Sequence, residues 1–265
     1  MILQELNEAA KPKAKKGLGL SLTKIKTFET CSYRYFLQYI QKEKVDKKDY
    51  DPVFFKKGQF AHKWMESKIG GLECKFDSST LSDEDKESIK GNCAKVFDND
   101  YIKSILPKGE AERGFSLNIT SKEVDGFEAT PRYSRSADFS GFIDFYAKVG
   151  NTLHLVDWKT GGKKGKDDDT FMQLFLYAKA QQKLDGGNKF VLSFYYVDHD
   201  KIVTRELTLD ELNKKIESIM KKAYSIPTSK SKKSFPATPG WYCKFCPFGA
   251  VRSSDKKIPC EFTNK

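Results

Sequence analysis

The dipeptide Gly150-Asn151 limits what this chain can fold into more than any other feature. It stands between Ser140 to Val149 and Thr152 to Lys159, two runs rich in β-branched and aromatic residues. A two-residue connection of this kind joins antiparallel strands in a fixed register. With Gly150 and Asn151 as the two loop residues, Asp144 falls opposite Asp157. Carboxylates facing each other at roughly 5 Å between Cβ atoms repel, so the hairpin calls for positive charge between them. A divalent cation supplies it, since Mg²⁺ or Mn²⁺ takes one oxygen from each carboxylate and keeps positions for water and a phosphate oxygen. Lys159 follows Asp157 by two residues and so projects from the same face of its strand. Asp144, Asp157 and Lys159 are the candidate catalytic group. The alternative is a surface hairpin with charges on its wet face; the apolar Ile143, Leu155 and Val156, which would bury the hairpin, argue against it.

A chain of 265 residues can bury one sizeable core, or a core with a small appendage. Its net charge of +11, with 31% charged residues, points to a polyanionic partner. The positive charge is clustered in Lys11 to Lys16, in Lys163, Lys164 and Lys166, and in Lys230, Lys232 and Lys233. Such runs are ordinarily solvated surface, but Lys163 and Lys164 follow Lys159 closely and are expected to contact the partner. No apolar run approaches 18 residues and Met1 to Glu5 is not a charged-then-apolar leader; a cytoplasmic protein without membrane contact is expected. Six widely spaced cysteines do not make a small disulfide scaffold, and in a reducing compartment paired cysteines more often bind metal. Gly161-Gly162 is too short for a phosphate-cradling loop, so ATP hydrolysis is not expected.

Coarse periodicity places these residues. Ser21 can cap a helix carrying Ile25, Phe28, Cys31, Tyr35 and Phe36; Phe54 to Ile69 reads as a second helix, with His62 and Glu66 on one face. Ser82 opens a helical stretch through Val96 and Ile102, and Thr208 to Glu211 is a capping box for another. Strands are expected at Gly114 to Ile119, in the hairpin and at Phe190 to Val197, and Phe171 to Gln182 reads as a helix with Gln173 and Tyr177 four apart. The expectation is an α/β chain with a central mixed β-sheet flanked by helices. Residues 1–20 would form a flexible basic arm, 21–225 a catalytic domain with a helical insertion around 75–110, and 226–265 a linker and cysteine-containing closure.

An acidic residue on one strand followed after a hairpin by Asp157-Trp158-Lys159 resembles the PD-(D/E)XK nuclease superfamily, with Ile143-Asp144 where the name has Pro-Asp. Gly58-Gln59-Phe60-Ala61-His62 resembles the glycine-to-histidine element of its RecB-like branch, and Gln173 to Tyr177 that branch's Gln-x-x-x-Tyr helix. Cys31, Cys243-x-x-Cys246 and Cys260 resemble the cysteines that hold an iron-sulfur cluster in AddB-type nucleases and CRISPR-adaptation exonucleases, although the thirteen residues between Cys246 and Cys260 exceed the spacing usual there.

The resemblance implies a restriction-endonuclease-like core. It implies that His62, Asp144, Asp157 and the main-chain carbonyl of Trp158 hold Mg²⁺ or Mn²⁺, that Lys159 orients or deprotonates the attacking water, and that Gln173 and Tyr177 touch the nucleic acid or support the site. It implies a structural [4Fe-4S] cluster on Cys31, Cys243, Cys246 and Cys260; zinc shares the ligand preference, and the sequence does not separate the two. The implied activity is hydrolysis of DNA phosphodiester bonds by an exonuclease or end-processing enzyme of recombination, repair or phage DNA metabolism, with a helicase or recombination protein as a possible partner. Alternatives are a catalytically silent nucleic-acid-binding scaffold and a nuclease acting on RNA.

Overall fold

The structure is a computed structural model, and it describes residues 20–43, 52–77, 79–121, 123, 125–162, 167–249 and 260. The expected basic arm, Lys163 and Lys164 lie outside the described residues. Six strands make one mixed sheet: β1 (Gly109–Ile119), β2 (Phe127–Thr130), β3 (Phe139–Val149), β4 (Thr152–Lys159), β5 (Lys189–Tyr196) and β6 (Lys201–Thr208), in the order β2-β1-β3-β4-β5-β6. Only β4 and β5 run parallel among these neighbours. Their connection is α6 (Asp168–Asp185), as a parallel pair requires a crossover.

The hairpin has the expected register: Val149 pairs with Thr152 and Phe145 with Val156, and Gly150 takes the positive φ of 60° that suits the first central position of a two-residue turn. The backbone ladder stops at Phe145–Val156, however, one step short of the two aspartates. At that step the Trp158 N–H donates to Asp144 Oδ2 at 2.8 Å instead of to a β3 carbonyl.

Helices cover both faces. On one side α6 packs against the sheet through Phe171, Leu174, Phe175 and Ala178, joining Leu153, Leu155, Phe190 and Leu192 in a single core. Outside it lies α7 (Leu209–Tyr224), opened by the expected Thr208–Glu211 capping box and buried along Leu212, Ile216, Ile219 and Met220. On the other side α3 (Pro52–Gly70), α4 (Asp83–Asp98) and α5 (Asp100–Ile105) pack Ala61, Met65, Val96 and Ile102 against Phe145, Val156 and Trp158. At roughly 1.5–3 kcal/mol per fully buried large apolar side chain, these two layers dominate the stability.

Two stretches read as single helices are broken. Asn99 ends α4 and caps α5, its side chain accepting from the N–H groups of Tyr101 and Ile102. Cys31, with extended backbone, separates α1 (Leu22–Thr30) from α2 (Ser32–Tyr35), which continues as a π-helical turn to Gln41. A third, aromatic cluster of Tyr33, Tyr35, Phe36, Phe235 and Phe248 ties this N-terminal region to the segment after α7. No described helix is long and apolar enough to cross a membrane.

Candidate metal centre

Four elements converge where the hairpin ladder ends. α3 brings His62, which follows the buried Ala61 at the edge of the helix face packed on the sheet. Gly58, one turn earlier, lets the helix come close to the loop after β4, since a Cβ there would lie 3.2 Å from Thr160 Oγ1. β3 brings Asp144, whose Oδ1 lies 3.3 Å from His62 Nδ1 and whose Oδ2 is held by the Trp158 N–H. β4 brings Asp157 and Lys159. From α6, Gln173 Nε2 donates to Asp157 Oδ1 at 3.1 Å and to the Tyr177 hydroxyl at 2.6 Å.

A fifth element, β1, adds Glu112 to these four. His62, Glu112 and Asp144 each present one ligand atom within 4.8 Å of the others. Glu112 adopts φ 53°, left-handed backbone inside a strand, between the ladder pairs Ala111–Phe145 and Arg113–Ile143. Its absence from the sequence reading has a simple cause: the predicted strand began at Gly114. The usable signal was Gly109 and Gly114 bracketing two glutamates, since glycine in a strand marks irregular backbone or close approach.

The electrostatics are those of a site short of positive charge. Burial pushes the Glu112 carboxyl up, with the Asp144 charge adding to the effect. Burial likewise pushes Asp157, only 3% exposed, up to about 7, and Asp144 again adds, against Lys159 and His62. The Lys159 ammonium lies 2.5 Å from Asp157 Oδ2, yet that buried oxygen receives no aligned hydrogen bond. Burial lowers the His62 imidazole, but the hydrogen bond and charge of Asp144 outweigh it and hold the group above its ordinary value. Two half-buried carboxylates beside an imidazole, with a third carboxylate carrying an unsatisfied oxygen, fit a hard divalent cation. Such an ion would polarise a phosphoryl oxygen and offset the developing charge. The protein's own groups position the rest: Gln173 fixes the rotation of the Asp157 carboxylate, Tyr177 fixes Gln173, and Lys159 stands at the opening with its ammonium against Asp157.

That opening leads into a groove of about 610 Å³, lined by Lys159, Thr160, Gln173, Lys26, Thr27 and Arg34 among others. At its far side the cysteines meet. Cys31, Cys243, Cys246 and Cys260 line one cavity together with Tyr242 and Phe248, although more than 200 residues separate Cys31 from Cys243 in sequence. Cys243 sits on a 3₁₀ turn, Trp241–Phe245, which Cys246 ends and where the Gly240 N–H donates to Cys243 Sγ at 3.3 Å. Burial raises the Cys246 thiol, and the nearby Cys31 and Cys243 add to this. Cys93 is a fully buried thiol pushed up to about 12 by burial, away from either site.

The structure thus brings His62, Asp144, Asp157, Lys159, Gln173 and Tyr177 together and places Glu112 beside them. Comparison with solved structures gives a protein of Eubacterium rectale to which exonuclease activity has been ascribed, with 13% identity, TM-score 0.51, and coverage of 97% of this chain and 96% of that one. A second, SSO0001, is 17% identical over 88% of this chain and 96% of its own, with TM-score 0.34. No curated protein matches significantly. At such identities the first likeness shows the fold alone, but the PD-(D/E)XK nuclease superfamily profile matches residues 19–251. Carrying the restriction-endonuclease-like core and the family profile over most of its length, this chain belongs to the PD-(D/E)XK nuclease superfamily.

Proposed function

We propose that the chain is a Mg²⁺- or Mn²⁺-dependent deoxyribonuclease of the RecB-like branch that trims DNA ends as an exonuclease. The observation that carries this reading is the meeting of His62, Glu112 and Asp144 within 4.8 Å, next to Asp157 and Lys159 and at the mouth of a groove with basic and hydroxyl side chains. His62, Glu112, Asp144 and Asp157 hold the ion, the Trp158 carbonyl completes the set, and Lys159 orients or deprotonates the attacking water and steadies charge on the phosphate. Gln173 and Tyr177 support Asp157 and border the bound strand, and Lys163 and Lys164 take part in binding the nucleic acid. The four cysteines close the fold around a structural [4Fe-4S] cluster, with zinc as the alternative; their shared cavity supports a common site. A role in recombination, repair or phage DNA metabolism beside a helicase-type partner, in the cytoplasm, agrees with this chemistry.

The test is digestion of end-labelled linear and circular DNA, single- and double-stranded, and of RNA, with Mg²⁺ or Mn²⁺. Linear DNA is degraded from its ends and circles survive. Asp144→Ala and Lys159→Ala each lower turnover by roughly two to three orders of magnitude, the range for loss of an electrostatic or acid-base group, while DNA binding persists. Cleavage undiminished in Asp144→Ala removes the proposed site, and cleavage confined to RNA removes the substrate.

A further inference from the structure

Phe142 and Tyr133 lie exposed beside the metal centre and belong to none of the three core clusters. Phe142 is 47% exposed and Tyr133 46% exposed, and their rings stack with centroids 5.3 Å apart and planes 13° from parallel. Phe142 precedes Asp144 by two residues on β3, about 7 Å apart along the backbone.

The pair is held in place. Phe142 pairs with Gly114 of β1, and a Cβ on Gly114 would come within 3.3 Å of the Phe142 ring and 3.4 Å of the Tyr133 nitrogen. A glycine there gives the two aromatics room to lie flat against the sheet. The loop carrying Tyr133 is anchored one residue earlier, where the buried Ser116 hydroxyl donates to the Arg132 carbonyl. Exposed Arg132 and Arg135 flank Tyr133 in sequence. Tyr133 and Arg135 also line a groove of about 510 Å³ that reaches Gln173 and Tyr177, the residues that orient Asp157. A rigid, solvent-facing aromatic surface bordered by guanidinium groups, one pleat from a phosphate-cleaving site, has the chemistry of a base-stacking platform. Bases inside a duplex already stack on their neighbours and present no free face, so such a platform selects an unpaired strand.

We propose that Phe142 and Tyr133 stack a base of the single DNA strand next to the bond being cut. This rests on the nuclease reading above and adds the residues that make an unpaired strand the form held at the site.

The test measures binding of a fluorescent 12-mer single strand, a blunt duplex of the same sequence, and single strands with one abasic position moved along the chain. The protein carries Lys159→Ala to suppress cleavage. Phe142→Ala weakens single-strand binding about five- to one-hundred-fold, the range for losing one stacked base, and changes duplex binding far less. Phe142→Trp retains single-strand binding, whereas Phe142→Leu loses it. An abasic gap at one position weakens binding to the same degree with Phe142 present and not with Phe142→Ala. The scan with Phe142 intact needs no substitution in the platform, so it stands even where Phe142→Ala folds poorly. The proposal is overturned if no abasic position matters, if Phe142→Leu binds as tightly as Phe142, or if duplex binding falls in parallel. Failure of the Phe142-intact, Lys159-intact enzyme to cut any DNA removes the nuclease reading itself; normal cutting with a flat abasic scan removes the platform alone.

Discussion

Asp157→Asn should stabilise the metal-free protein at pH 8, although it destroys the site. The Asp157 carboxyl is 3% exposed and displaced from 3.8 to about 7, first by burial and then by the Asp144 charge. At 1.36 kcal/mol for each pH unit, ionising it in the folded state costs up to roughly 4 kcal/mol. The sign follows from which state ionises first. Below pH 3.8 the group is protonated both folded and unfolded and contributes nothing. As pH rises, the unfolded chain gives up its proton first, so folding stability falls through the window from about 4 to about 7 and then levels. Between pH 5 and pH 8 the loss attributable to this group is about 2–3 kcal/mol. Glu112, raised by burial, and His62, raised on balance by Asp144, contribute slopes of the same sign, so the comparison must be with the variant and not with pH alone. Asparagine keeps an oxygen for the Gln173 amide and carries no charge. Urea unfolding in excess chelator at pH 5 and pH 8 measures the difference. The unsubstituted protein should lose stability over that range by roughly 2–3 kcal/mol more than Asp157→Asn. Adding Mg²⁺ at a hundred times its dissociation constant should restore about 2.7 kcal/mol to the first and little to the second. Parallel pH slopes, or a variant less stable than its parent at pH 8, would refute the account of Asp157 as a buried carboxylate whose desolvation outweighs its pairing with Lys159.

Other outcomes follow from the same structure. Glu112→Gln should weaken Mn²⁺ binding, read by calorimetry, by roughly ten-fold or more, because even groups outside the coordination sphere are worth about 10–100-fold; unchanged affinity would exclude Glu112 from the site. Cys243→Ser and Cys31→Ser should each lower the melting temperature and metal content together before they lower cleavage per folded molecule. Anaerobically purified protein should be brown and contain iron, and colourless protein with zinc would keep the clasp and reject the cluster. Thr208→Ala removes the capping box that opens α7 and should cost about 1 kcal/mol in urea unfolding with no change in cleavage.

Much of the site was legible because its geometry is local. A two-residue turn fixes which residues oppose each other, and strand and helix periods place Lys159 beside Asp157 and Gln173 beside Tyr177. Less legible were features decided by tertiary context. β2 is a four-residue edge strand, and β6, also at an edge, mixes Lys201, Arg205 and Glu206 with its apolar residues; such strands blunt their exposed edges with charge and so lose the apolar signal. The interruption at Cys31 leaves no propensity signature, because an extended cysteine between two helical turns is set by what the thiol faces. Glu112 was missed because the expected strand began at Gly114, and its left-handed conformation is signalled only by the flanking Gly109 and Gly114.

That conformation has a consequence for how this nuclease can change. A left-handed backbone costs a residue with a Cβ roughly 1–2 kcal/mol, a penalty glycine escapes. Position 112 therefore opposes two demands: glycine would relax the strand and remove a half-buried carboxylate, gaining stability on both counts, and would delete a proposed metal ligand. Screening variants of this chain for thermal tolerance alone would drift toward glycine there and yield robust, inert proteins, whereas screening for turnover would hold the strained glutamate in place. The distorted turn of β1 marks where stability and chemistry are in direct competition at a single residue.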